Sequence, residues 1–181
     1  MDSKDWRGVG AMVVDCTVRL FGTFGAELRY TGSPDPIPAA DQLTVAVIGL
    51  ASEALRGSLV MGATPKVLEL THPLRTEKGG HLDNESLRDW AGELANRLVG
   101  RVKIQLLTHG ITIQLGTPTT MSGRELTLGA ALKNPECLPH CFEIGDDWLL
   151  VRMEAVAHPE TKLSDDPKPV PATDEGGMLI F

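Results

Sequence analysis

The chain has 181 residues, enough for one ordinary domain with a tail but not for two full domains. Its 42% hydrophobic and 23% charged residues fit a globular protein with a real core, and exclude a wholly disordered chain, a collagen-like repeat or a disulfide scaffold. A net charge of −7 and only 4% aromatic residues argue against nucleic acid as a partner, because phosphate binding needs basic side chains and base stacking needs rings.

No stretch approaches the ~20 uninterrupted apolar residues of a membrane span, so no membrane association is expected. The start, Met1-Asp2-Ser3-Lys4-Asp5-Trp6, lacks the apolar centre of a secretory signal, and a cytoplasmic location is the expectation. Three cysteines in such a chain read as reduced thiols.

In chain order, Ala11 to Leu28 is a helix-compatible run, with Val14, Val18, Phe21 and Leu28 spaced for one face. A proline-rich loop, Tyr30 to Pro38, ends it. Leu43 to Leu50 is short, apolar and β-branched and predicts a buried strand, with Gly57 to Met61 as its partner. Pro65 at a first helical turn predicts a short helix to about Thr71. After a loop marked by His72-Pro73 and Lys78-Gly79-Gly80-His81, Ser86 to Thr108 is the longest helical pattern, stopped by His109-Gly110.

Further strands are predicted at Ile111–Leu115, Arg124–Ala130, Pro139–Ile144 and Trp148–Ala157, with Gly116-Thr117-Pro118 as a break. The expected domain therefore spans residues 11–157. Residues 158–181 are an acidic, proline-rich tail that ends in the apolar tip Met178-Leu179-Ile180-Phe181.

The long helix carries the chemistry. On a wheel of ~100° per residue with Asp89 at zero, Glu93 falls near 40° and Asn96 near −20°. Leu87, Ala91, Leu94, Leu98 and Val102 fall between roughly 140° and 220°, directly opposite. The apolar face is the core face, and the Asp89–Glu93–Asn96 stripe points outward. Gly92 and Gly100 border the stripe at a cost of about 1 kcal/mol each, as if room were kept for another chain. Trp90 adds bulk beside it.

The pattern Asp89-x3-Glu93-x2-Asn96-x21-Pro118, with the glycine-punctuated segments Val45–Leu50 and Gly57–Met61 upstream, resembles the signature of the CheC/CheX/FliY chemotaxis phosphatases. The similarity covers roughly Ala11 to Val156. Only one Glu-x2-Asn copy is present; the early helix has Asp15, Arg19 and Gly22 where a second would lie, so the chain is closer to CheX than to CheC.

The resemblance implies an α+β, CheC-like fold: a mixed β-sheet with long α-helices packed on one face. It implies a phosphatase acting on the aspartyl phosphate of a CheY-like response regulator, with Asn96 orienting the attacking water and Glu93 pairing with the receiver's active-site lysine. Asp89, Gly92, Gly100 and Pro118 would shape the partner-binding face. Mg²⁺ would sit on the partner receiver, and no cofactor belongs to this chain. The resemblance also admits a homodimer. The alternative is a non-catalytic CheX-like adaptor that holds a partner with the same helix face.

The remaining residues support no other chemistry. Cys137-Leu138-Pro139-His140-Cys141 lacks the second ligand pair of a zinc site, and no Gly-x-Ser-x-Gly elbow or phosphate-binding glycine loop occurs.

Overall fold

A computed structural model of the chain describes residues 1–32, 42–74, 82–124, 126 and 139–169. The first element, α1 (Ser3–Gly22), starts before the expected boundary. Asp2 and Asp5 close a reciprocal capping box, which satisfies orphan amides of the first turn and starts the helix there. Strands β1 (Arg29–Gly32), β2 (Leu43–Ala51) and β3 (Leu55–Ala63) follow, then α2 (Pro65–Thr71) with proline in its first turn. The long helix α3 (Asn84–Thr108) begins where the Asp83 side chain accepts from the Ser86 amide at 2.7 Å. It ends in a turn at Gly110, whose φ of 79° suits glycine.

Four strands complete the sheet: β4 (Gln114–Leu115), β5 (Thr119–Gly123), β6 (His140–Ile144) and β7 (Asp147–Ala157). The order is β1-β6-β7-β3-β2-β4, with β5 also on β2, and every described pairing is antiparallel. β4 and β5 share one edge of β2, so Gly116-Thr117-Pro118 interrupts what would otherwise be a single strand. The architecture is the expected α+β one, helices on a sheet.

Alternation along the strands sorts the core into two clusters. Ala46, Ile48, Leu59, Met61, Val151 and Met153 face α1 and α3 and bury Val13, Phe21, Leu94, Leu98 and Val102 beneath the helices. Leu43, Val45, Val60, Cys141, Trp148 and Leu150 form the second cluster. Gly57 lets β3 and β7 meet: a β-carbon there would lie 1.8 Å from the Glu154 carbonyl oxygen.

Several expectations shift. The helix predicted from Ala11 to Leu28 lies two turns earlier, because capping at Asp2 outweighs the glycines at 8 and 10. Of Ile111–Leu115 only Gln114–Leu115 pairs as a strand. The strand expected at Arg124–Ala130 lies mostly outside the described residues, whereas β5 occupies the polar segment before it.

The described part of the tail, residues 158–169, runs back over the domain. The His158 amide donates to the Ala54 carbonyl at 2.8 Å, and the Lys168 amide to that of Thr108 at 2.9 Å. Leu163 packs on the helical core beside Gly8, so this segment is a strap rather than the free linker its composition predicts. The Met178–Phe181 tip lies outside the described residues.

Candidate functional site

The helix α3 crosses the sheet with Leu87, Ala91, Leu94, Leu98 and Val102 fully or almost fully buried, as the wheel requires. That anchoring leaves Asp89 and Asn96 exposed and Glu93 half-buried on the outer side. The three residues of the stripe therefore lie on one surface of a helix whose backbone is fixed from below.

Each flank of the stripe is occupied. On one side lies the interruption between β4 and β5. A β-carbon at Gly92 would lie 3.3 Å from the Thr120 γ-methyl and 3.8 Å from Cγ of Pro118. Gly92 is buried, so the room it leaves is taken by this chain's own loop. The absence of a side chain at Gly92 lets Pro118 and Thr120 lie against the helix. Pro118 is thereby brought beside the stripe, half-buried, 26 positions after Gly92 in sequence. Gly100 differs: a β-carbon there would meet nothing within 4 Å.

On the other flank lies Trp90, which is no intrusion on the outer surface. It is only 6% exposed, and its indole Nε1 donates to Thr71 Oγ1 at 3.0 Å. Thr71 Oγ1 in turn donates to the Val67 and Leu68 carbonyls within α2. The rings of Phe24 and His72 meet the indole edge-on at 5.5 and 5.4 Å.

Arg97, which the Asp-Glu-Asn pattern does not single out, lies with its guanidinium carbon 5.4 Å from the centre of the Trp90 ring. Its Nε donates to Glu93 Oε1 at 2.7 Å. An exposed pair at i,i+4 is worth about 0.3–0.5 kcal/mol, and a solvent-exposed cation over a ring about 0.5–1 kcal/mol. The signal is present in the sequence: Arg97 stands four residues after Glu93 and seven after Trp90, on one side of the helix.

The early helix offers no second copy of this arrangement. There Asp15 Oδ1 accepts from Arg19 Nε at 2.9 Å, and no amide side chain follows.

Among the described residues no three His, Cys, Asp or Glu side chains are grouped to hold a metal ion. Cys137 and Leu138 lie outside them, while Cys141 is buried in the second core cluster, where burial and the neighbouring Glu143 raise its thiol pKa. Burial pushes the Cys16 thiol up to about 11 and holds His140 below its ordinary value. Neither thiol is a poised nucleophile. No helix among the described residues is long and apolar enough to cross a membrane.

The model of the family "Chemotaxis phosphatase CheX" matches residues 44–140, from β2 through the motif helix to the start of β6. The chain belongs to the CheX family.

Solved structures agree in fold. The chemotaxis protein CheX from Vibrio vulnificus superposes with a TM-score of 0.71 at 17% identity, over 82% of this chain and 96% of that one. CheX from Desulfovibrio desulfuricans gives 0.68 at 18% identity, over 82% and 99%. The CheX of a CheX–CheY–BeF3–Mg²⁺ complex from Borrelia burgdorferi gives 0.57 at 14% identity, over 80% and 96%. No curated protein sequence matches the chain. The comparisons thus agree on the fold, helices laid on an antiparallel sheet.

Proposed function

We propose that this CheX-family chain hydrolyses the aspartyl phosphate of a CheY-like receiver domain. The observation that carries the reading is the exposed amide of Asn96, three residues after Glu93 on a helix backed by buried Leu94, Leu98 and Val102. The relative crystallised with CheY, BeF3 and Mg²⁺ supports the same class of partner.

The chemistry asks little covalent work of the phosphatase. Water attacks phosphorus in line, the bond from phosphorus to the receiver's carboxylate oxygen breaks, and the products are inorganic phosphate and a free aspartate. The water's oxygen stays on phosphorus and both its protons leave with the product, as dihydrogen phosphate or after one is released to solvent. An amide both donates and accepts, so Asn96 can hold that water without adding charge beside an anionic phosphoryl group. Glu93, one turn earlier, pairs with the receiver's lysine and sets how deeply the helix enters. Mg²⁺ on the receiver would supply charge neutralisation for the phosphoryl group. Asp89 and Pro118 shape the rim.

The test is phosphate release from phosphorylated CheY-like receivers at fixed Mg²⁺. Asn96→Ala should lower the rate by about 10²–10³-fold, the scale of losing one preorganised transition-state contact, while receiver binding persists. Near-wild-type hydrolysis by Asn96→Ala would favour the adaptor reading.

A further inference from the structure

We propose that Arg97 is a positioning residue for Glu93, and that Trp90 is the fixed platform on which it rests. This rests on the reading of the site as a receiver phosphatase. Glu93 is half-buried, and a glutamate in that setting samples several rotamers unless something holds it. Arg97 Nε holds Oε1 at 2.7 Å. A carboxylate has about four acceptor sites on its two oxygens, so this contact orients the group and still leaves room for an incoming ammonium.

Arg97 is itself restrained. Its guanidinium lies over an indole that is 6% exposed and tied to α2 through Thr71 Oγ1 at 3.0 Å. Two ring edges, from Phe24 and His72, fix the indole further. A line of contacts therefore runs from the buried hydroxyl of Thr71 through Trp90 and Arg97 to the carboxylate of Glu93.

The effect on the reaction is to settle side-chain freedom before the partner arrives. Glu93 and Arg97 are both long, and ordering either one only on association weakens binding. Lysine at position 97 would keep the charge, but it has no planar fork to lie on the indole while an N–H donates to the carboxylate. Arg97 acts through Glu93, so its influence belongs to association and not to the attacking water at Asn96.

The experiment measures KM and kcat for a phosphorylated CheY-like receiver with wild type, Arg97→Ala, Arg97→Lys, Glu93→Ala and the double variant Glu93→Ala/Arg97→Ala. Arg97→Ala should raise KM by roughly two- to tenfold, with kcat within about twofold of wild type. Arg97→Lys should not restore the wild-type KM. In the Glu93→Ala background, Arg97→Ala should add nothing.

An undiminished effect of Arg97→Ala in that background would mean that Arg97 meets the receiver directly, and would overturn the proposal. So would full rescue by lysine, a wild-type KM in Arg97→Ala, or a loss confined to kcat. Wild-type protein that hydrolyses no phospho-receiver would remove the functional reading and this inference together. Hydrolysis that is impaired by Glu93→Ala and untouched by Arg97→Ala would remove this inference alone.

Discussion

Gly100→Ala separates stability from function at one position. Gly100 lies in the interior of α3, one turn beyond Asn96, and a β-carbon built on it meets no atom within 4 Å. Nothing offsets the helix-propensity gain, so the variant should be more stable by about 0.8–1.0 kcal/mol. For a domain of this size that is a rise in Tm of roughly 2–4 °C. The wheel nevertheless places Gly100 near 20°, between Glu93 and Asn96 and ~6 Å along the axis from the latter. A receiver seated on the stripe would press its backbone there, and an added methyl under a close contact should raise KM about fivefold or more. Thermal melting and receiver hydrolysis, measured on the same preparation, check both halves. A lowered Tm would show that the position is not open, and a raised Tm with unchanged KM would remove Gly100 from the contact surface.

Glu93→Ala should weaken receiver binding by about 1.5–3 kcal/mol and make it less sensitive to salt; isothermal titration at two ionic strengths checks both. Gly57→Ala should destabilise the fold by roughly 1–3 kcal/mol, because the new methyl meets the backbone of Glu154 and Ala155, which cannot swing away. An unchanged urea midpoint would contradict that packing. His140 is held below its ordinary pKa by burial, so the unfolded chain binds the extra proton first as pH falls through about 6.5. Stability tied to neutral His140 is therefore complete above that pH and declines below it, and His140→Gln should flatten the fall in Tm between pH 7 and 5. A wild-type slope in the variant would assign the fall to other groups.

What is legible in the sequence follows from how local each signal is. The α2 bounds, Pro65 to Thr71, are readable because proline marks a first turn. The stripe of α3 is readable because its core residues keep strict helical spacing. β5 escapes a sequence reading because Thr119-Thr120-Met121-Ser122-Gly123 has no strand pattern of its own and is held by pairing with β2. The first turns of α1 escape it because Gly8 and Gly10 weaken any helical pattern there; Gly8 is instead the place where Leu163, 155 positions later, comes close. The site divides in the same way. Asp89, Glu93 and Asn96 share one helix and can be placed together from spacing. The burial of Trp90 and the filling of the Gly92 gap by Pro118 and Thr120 depend on contacts between distant segments, which no single stretch encodes.

The strand order has a consequence for how the chain is made. The middle of the sheet joins β3 to β7, and β7 leaves the ribosome after everything it pairs with. At ~5–20 residues per second, β2 and β3 wait roughly five to twenty seconds for that neighbour. Throughout that interval the apolar side chains of Leu59, Met61 and Val60 have no β7 against which to settle. The helix bearing Glu93 and Asn96 is complete well before then, but its support is not. Nascent chains halted before Asp147 should therefore bind chaperones and resist folding, and competence should arrive abruptly as β7 and then the strap emerge.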